Sequence, residues 1–485
     1  MKLYDRPAHE LSGMIVSKEI TATEVTQSFI DRITAVEDRV QSFITLTTEG
    51  ALQTAAEVDA KLARGEQLPP LAGLPIALKD NFCAAGMLTT CASKMLYNFV
   101  PPYDATTVAR MKESLMPIMG KTNLDEFAMG SSCETSAYHK TYNPYDLERV
   151  PGGSSGGSAA ALAAAEVPLA MGSDTGGSVR QPACITGTVG LKPTYGAISR
   201  YGVIAFGSSL DCIGPMARNV RDCAMLFDLL AGEDPADSTT RRGNYPAIAP
   251  GLKNDVKGLT VGLPKEYFGE GIDPEVRACV MAAAKAYEEM GAKLVEVELP
   301  LAEYALPTYY VISSAEASSN LARFDGVSYG YRSEQASNMD ELYYKSRSES
   351  FGDEVKRRIM LGTFVLASGH YDAYYKRGQL MRAKLKQIYN AAFEHCDVLL
   401  TPASPSPAFK IGERESDPLA MYMSDICTVS VNMVELPALV IPCGKVAGLP
   451  MGMQLIGRKF SEELLLNTAY SYEQTTGIGW VPANL

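Results

Sequence analysis

Apolar residues near the start of the chain recur at helical spacing. The positions that show this spacing are Val25, Phe29, Ile33 and Val36. The pattern runs from Ala8 to about Leu62 and predicts an amphipathic helical arm. Thr21 or Thr23 stands where an N-cap would begin the second helix. We therefore expect helices to pack one apolar face on the rest of the molecule.

Further along the chain, short apolar runs alternate with helical patterns. The runs that predict strands are 74–78, 116–119, 167–171, 259–262, 294–297, 398–400, 439–441 and 453–456. The segments between them that predict helices include 158–165, 273–290 and 461–475. Alternation of this kind is typical of a layered α/β sheet.

The stretch from about 301 to 394 is helical and polar in pattern and rich in tyrosine, which predicts a helical insertion over one edge of the sheet. The chain has neither a convincing internal repeat nor a long low-complexity linker. We therefore predict one domain over all 485 residues. Its parts are an arm at 1–65, a central unit at 66–232, the insertion at 300–395 and the remaining sheet with a C-terminal helix at 396–485.

Composition narrows the class of protein. Hydrophobic residues make up 46% of the chain and charged residues 21%, as in a globular protein with a large core. The net charge of -12 opposes binding to a polyanion, because nucleic-acid affinity comes largely from lysine and arginine on phosphates. If RNA is involved, we expect another subunit to hold it.

The ten cysteines form no C-x-x-C pair and no zinc-like spacing, so we expect reduced thiols, most of them in the core. The first 30 residues lack the apolar segment of a signal peptide, and no apolar run reaches the roughly 20 residues of a membrane helix. These features predict a cytoplasmic protein with no membrane segment.

Two glycine-flanked serines are the first candidates for chemistry. Ser154 lies in 152–157 and Ser178 in 174–178, 24 positions apart. The first cluster matches the G-x-S-x-G elbow, which would make Ser154 a nucleophile with His370 or His395 as base. An elbow follows a strand directly, however, and no strand is predicted before it. One Gly-Ser cluster alone could also be a flexible loop, but two flanking one helix-strand unit favour a site.

Lys79 is the alternative base for these serines. A lone lysine is usually a surface charge, but this one ends the apolar run 74–78. To accept a proton near neutral pH its pKa must fall from about 10.4 by about 3, which burial and nearby N–H dipoles can cause. The N–H groups of Thr175, Gly176 and Gly177 could meanwhile converge on an oxyanion.

The segments 151–158, 172–183 and 190–194 resemble the signature of the amidase signature family. The resemblance implies an α/β fold with a large mixed sheet between helices. It also implies a triad in which Ser178 is the nucleophile, Ser154 the bridging hydroxyl and Lys79 the base. A cis peptide bond between Gly153 and Ser154 is part of this expectation. The roles of the two serines are thereby reversed relative to the elbow interpretation.

The resemblance extends over 74–81, 120–132 and 313–330 to the branch of the family that serves tRNA-dependent amidotransferases. It implies that the chain hydrolyses free glutamine and releases ammonia. Partner subunits B and C would complete a heterotrimer, which uses ATP and Mg²⁺ to amidate misacylated tRNA held mainly by a partner. No metal or cofactor is implied in this chain itself.

Free glutamine needs a cation for its carboxylate and an anion for its ammonium. Arg358 matches the family's carboxylate-binding position and Asp425 its ammonium-binding position. Tyr309 matches a further substrate contact, and Ser131 and Met129 are the remaining positions assigned to substrate binding.

Several alternatives stay open at this level. The neighbouring Tyr310 could replace Tyr309 as the substrate contact. The chain could be a stand-alone amidase of broad specificity, or a non-catalytic component of an assembly. A membrane-bound fatty-acid amidase is disfavoured by the missing membrane segment and by the charged groups at 358 and 425.

Overall fold

The computed structural model describes residues 2–243 and 245–485, and its described residues form one eleven-stranded sheet. The strands are β1 (Phe43–Leu46), β2 (Ile76–Lys79), β3 (Ile118–Thr122), β4 (Leu169–Asp174), β5 (Val189–Lys192), β6 (Cys212–Ala217), β7 (Thr260–Pro264), β8 (Lys293–Val297), β9 (Val398–Pro402), β10 (Ala438–Val446) and β11 (Leu449–Ile456). All eight predicted runs overlap strands. The sequence patterns missed β1, β5 and β6.

The strand order is β1-β3-β2-β4-β6-β5-β10-β11-β9-β7-β8. β2 pairs in parallel with β3 and β4, and β7 pairs in parallel with β8 and β9, while the other pairs are antiparallel. The sheet is therefore mixed, as the resemblance implied. Its parallel part places the carboxyl ends of β2 and β4 side by side, and polar residues follow both.

The helices pack on this sheet and on one another. They are α1 (Ala8–Val16), α2 (Ala22–Val40), α3 (Thr48–Ala63), α4 (Thr106–Glu113), α5 (Gly156–Ala163), α6 (Arg180–Thr186), α7 (Val220–Leu230), α8 (Pro274–Glu289), α9 (Ala305–Asn320), α10 (Met339–Ser350), α11 (Asp353–Leu366), α12 (Arg377–Ala392), α13 (Pro418–Met423), α14 (Val429–Met433) and α15 (Glu462–Thr476). The predicted insertion corresponds to α9 to α12, in which α9 packs against α11 and α12.

The N-terminal segment is helical except at β1. Thr21 begins α2 with a capping box, in which its side chain accepts a hydrogen bond from Glu24 N and the Glu24 side chain accepts from Thr21 N. The prediction of a purely helical arm is wrong at Phe43–Leu46, which forms an edge strand antiparallel to β3. Four residues are too short a run to separate from the flanking helical pattern.

One hydrophobic cluster joins buried residues of the arm, the sheet and the insertion. It includes Phe29 from α2, Leu78 from β2, Ile312 from α9 and Leu455 from β11. In the described residues no helix is both long and apolar enough to cross a membrane. The continuous core fixes the sheet on which the candidate site is built.

Candidate active site

The candidate site begins where two neighbouring parallel strands end. β2 ends at Lys79 and β4 ends at Asp174, and their register pairs Leu78 with Met171. Lys79 Nζ lies 3.2 Å from the carbonyl oxygen of Ser173. The strand pairing therefore brings the lysine beside the loop that carries Ser178.

Lys79 is fully buried among hydroxyl groups. Its Nζ lies 2.7 Å from Ser154 Oγ, 3.0 Å from Ser155 Oγ and 3.0 Å from Ser173 Oγ. Burial lowers the pKa of Lys79 to about 8, because no carboxylate forms an ion pair with it among the described residues. A substantial fraction of the amine is consequently neutral near physiological pH.

The two serines lie on adjoining loops. The peptide bond between Gly153 and Ser154 is cis, as the resemblance implied. Ser155 N donates a 3.0 Å hydrogen bond to Ser178 O, which ties the two loops together. Ser178 is 8% exposed at the site while Ser154 is completely buried. In the described chain no hydrogen bond joins the two hydroxyls directly.

The histidines of the elbow hypothesis lie elsewhere. His370 stacks on Phe364 with ring centroids 4.0 Å apart. His395 follows the end of α12, where its backbone N–H donates to Ala392 O. Ser154 therefore has Lys79 as its basic neighbour.

The loop after β4 offers N–H groups next to Ser178. Gly177 N donates a 2.9 Å hydrogen bond to Asp174 Oδ1, so this predicted oxyanion donor is already engaged. The N–H groups of Thr175, Gly176 and Ser178 make no hydrogen bond in the described part of the chain. These three are the donors left for an oxyanion.

A buried ion pair holds this loop. Arg180 Nη2 lies 2.9 Å from Asp174 Oδ1, and Arg180 Nε lies 3.0 Å from Asp174 Oδ2. Arg180 also donates to Gln454 on β11, and Asn432 on α14 donates to Asp174. Both charges are completely buried, and Arg180 keeps the pKa of Asp174 well below its ordinary value against the effect of burial. The loop thus has a fixed shape before any ligand arrives.

Arg358 on α11 is buried between aromatic rings. Its guanidinium lies 4.5 Å from the ring of Tyr310 and 4.9 Å from that of Tyr422, and its Nε donates a 2.6 Å hydrogen bond to Glu354. Its Nη1 is buried without a partner in the described structure. A buried cationic donor with a free N–H is suited to a carboxylate ligand.

Asp425 lies beside this arginine. It accepts hydrogen bonds from Ser131 Oγ at 2.7 Å and from the Tyr310 hydroxyl at 3.0 Å. Burial raises the pKa of Asp425 to about 7, although both hydrogen bonds and Arg358 favour the charged form. A ligand cation would stabilise the carboxylate further.

The two tyrosines divide between neighbouring tasks. Tyr309 lies against the serine loop, since a Cβ atom at Gly176 would be 2.6 Å from its hydroxyl. Tyr310 instead supports Asp425 and stacks on Tyr422 at 4.2 Å. Met129 is buried in a cluster of aromatic residues, which makes its side chain part of the packing.

Two cavities adjoin these residues. One of about 300 Å³ is lined by Ser131, Arg358 and Tyr422, among others. A second of about 190 Å³ is lined by Ser173 and Thr175, at the serine loop. The predicted substrate residues thus face one space and the catalytic loop another close by.

Sequence reasoning missed several supporting groups. Ser155 and Ser173 surround Lys79, and Glu354 orients Arg358. Glu354 could have been found, because a carboxylate four residues before an arginine on a helix is a common pair. Tyr422 could not, since it comes from α13, far from Arg358 in the chain.

Comparison with known proteins agrees with this geometry. The family described as Amidase matches residues 24–466. The A chain of the glutamyl-tRNA(Gln) amidotransferase of Heliobacterium modesticaldum is 56% identical over 477 residues, which cover 98% of each chain. The protein of the same name from Moorella thermoacetica is 56% identical over 476 residues, again 98% of each chain.

A solved structure extends the agreement to three dimensions. The crystal structure of the corresponding glutamyl-tRNA(Gln) amidotransferase protein from Thermotoga maritima superposes with a TM-score of 0.79 at 41% identity. The match covers 94% of this chain and 92% of that one. The predicted amidase-signature fold is thereby confirmed. The chain belongs to the amidase family, and within it to the branch of the glutamyl-tRNA(Gln) amidotransferase A subunits.

Proposed function

We propose that this chain is the glutamine-hydrolysing subunit of a multisubunit, tRNA-dependent amidotransferase. The observation that carries the proposal is Lys79, buried among serine hydroxyls with a lowered pKa and without a carboxylate partner in the described residues. Arg358 and Asp425 supply opposite charges for the two ends of a free amino acid. The names of the relatives point to glutamyl-tRNA(Gln) as acceptor; aspartyl-tRNA(Asn) is a further candidate.

In the proposed reaction, Ser178 Oγ attacks the side-chain amide carbon of glutamine. Its proton passes to Ser154, whose own proton passes to the neutral amine of Lys79. The oxyanion accepts hydrogen bonds from the N–H groups of Thr175 and Gly176. Lys79 then returns a proton through Ser154 to the leaving nitrogen, and ammonia departs. Water hydrolyses the acyl-enzyme by the reverse proton path and releases glutamate.

The rest of the complex would use the ammonia. We propose subunits B and C as partners in a cytoplasmic heterotrimer, with ATP and Mg²⁺ used by the assembled enzyme and misacylated tRNA held mainly by a partner. The net charge of -12 supports this division, because this chain alone is a poor polyanion binder.

The test is a glutaminase assay of the purified chain and of the complex from the native host, with tRNA and ATP added or omitted. Glutamine hydrolysis is expected to be low alone and to rise with the partners. Ser178→Ala should reduce it by about 10³-fold or more, while Ser17→Ala, at an exposed serine, should leave it unchanged. Full turnover of simple amides by the isolated chain, without preference for glutamine, would instead identify a stand-alone amidase.

A further inference from the structure

Two cysteines from distant parts of the chain meet between α8 and β10. Cys279 lies on α8 and Cys443 on β10, and their sulfur atoms are 3.7 Å apart. A disulfide needs a sulfur–sulfur distance of about 2.0 Å. The two sulfurs therefore have to approach by a little less than about 2 Å.

The strand is built to let them approach. The pairing of β10 with β11 changes register between Pro442 and Gly444, so Cys443 is the extra residue of a bulge. Its backbone is not held by a paired residue on β11. A Cβ atom at Gly444 would lie 2.8 Å from Cys279 Sγ, so the glycine leaves space for that sulfur.

The two thiols differ in access and acidity. Cys279 is partly exposed, whereas Cys443 is buried. The hydrogen bond from the Cys443 thiol lowers the pKa of Cys279, and the same contact together with burial raises the pKa of Cys443. Cys279 is therefore the sulfur that a soluble oxidant reaches first and as a thiolate.

We propose that Cys279 and Cys443 are an oxidation site that closes to a disulfide on contact with a hydroperoxide. The Cys279 thiolate attacks one peroxide oxygen, the O–O bond breaks, and water leaves after the leaving oxygen takes a proton. The sulfenic acid so formed is attacked by Cys443 sulfur, its S–O bond breaks, and a second water leaves. Two thiols are oxidised by two electrons, and the peroxide is reduced to water.

The disulfide would join α8 to the hairpin of β10 and β11. Residues 279 and 443 enclose a long segment, and closing a long segment restricts the unfolded chain. The oxidised protein is therefore expected to melt at a higher temperature than the reduced protein. A dithiol reductant should reverse the change.

The experiment treats the full chain with hydrogen peroxide, blocks free thiols with an alkylating reagent, and maps the digest by mass spectrometry. The expected product is a Cys279–Cys443 peptide pair that is lighter than its two reduced peptides by two hydrogens and is lost on reduction. Cys223→Ser, at another buried cysteine, is the matched control and should leave the pair unchanged. Gly444→Ala should slow its formation.

Two single variants separate the steps. In Cys443→Ser, a sulfenic-acid probe should label Cys279, because the resolving thiol is gone. In Cys279→Ser, the crosslink should disappear and Cys443 should stay free. The proposal fails if peroxide leaves Cys279 of the wild-type chain open to alkylation, or if Cys279 pairs with a different cysteine. The wild-type peptide map decides this even where a variant does not fold.

Discussion

The catalytic centre and the glutamine subsite are built in different ways. The catalytic centre, Lys79 with Ser154 and Ser178, lies within one stretch of chain, and its surrounding polar groups bond to one another. The glutamine subsite, Arg358 with Asp425, comes from the insertion and from the segment after it. There one guanidinium N–H has no partner in the described residues, and the carboxyl has a raised pKa.

The difference separates chemistry from recognition. A centre whose charges are already compensated keeps its geometry without a ligand, as preorganised catalysis requires. A subsite with an unpaired cation and a partly protonated acid gains most when a zwitterion supplies the missing charges. Damage to the first should therefore stop reaction with every amide, whereas damage to the second should affect glutamine selectively.

The largest effect is expected for Lys79→Ala. Ser154 then has no proton acceptor, so acyl-enzyme formation should fall by about 10²- to 10⁴-fold for glutamine and for a simple amide alike. Rapid-quench measurement of the ammonia burst checks this. A normal burst would remove Lys79 from the mechanism, and an unchanged melting temperature excludes simple unfolding.

Arg358→Ala should affect the glutamine subsite alone. Loss of a charged hydrogen-bond donor is expected to raise the glutamine KM by about 10- to 100-fold, with little change for a small unsubstituted amide. Arg357→Ala is the matched control, because this neighbour also pairs with Glu354 but is 47% exposed. Equal losses on both substrates would show that Arg358 is structural.

The pH profile joins both regions. Lys79 must be neutral and Asp425 charged, so kcat/KM for glutamine should rise with pH through about 7 for Asp425 and about 8 for Lys79. Below either value, each pH unit should cost up to about tenfold per group. A simple amide should show only the Lys79 limb near pH 8. A flat profile between about pH 6 and about pH 8.5 would contradict both assignments.

The smallest effect concerns the two tyrosines. Tyr310→Phe removes a hydrogen bond to Asp425, worth about 1 kcal/mol, and should raise the glutamine KM about fivefold. The lower pH limb should also move upward, because the carboxylate loses a donor. Tyr309→Phe is the matched comparison and should leave that limb in place. Identical limbs in the two variants would mean that Tyr310 does not tune Asp425.

Sequence patterns predicted the long elements well and the short strands poorly. The helices α8 and α15 and the eight apolar runs were visible because their spacing repeats or because several apolar residues adjoin. β5 and β6 were missed, since Gly190, Gly214 and Pro215 give weak strand signals. β1 was hidden between two helices.

At the candidate site, local motifs predicted the residue types but not the contacts. The motif resemblance brought forward Lys79, Ser154 and Ser178, and the structure places the first two 2.7 Å apart. It did not foresee that Gly177 N–H is bonded to Asp174. Hydrogen-bond use depends on loop conformation, which residue types alone do not encode.

The sequence by itself determined the fold class, the family and the identity of the candidate serines, because these follow from periodicity and from motifs in adjacent residues. The tertiary structure decided the protonation of Lys79 and Asp425, the division of labour between Tyr309 and Tyr310, and the meeting of Cys279 with Cys443. The physical reason is that pKa values and sulfur contacts depend on burial and on neighbours that packing brings from distant parts of the chain.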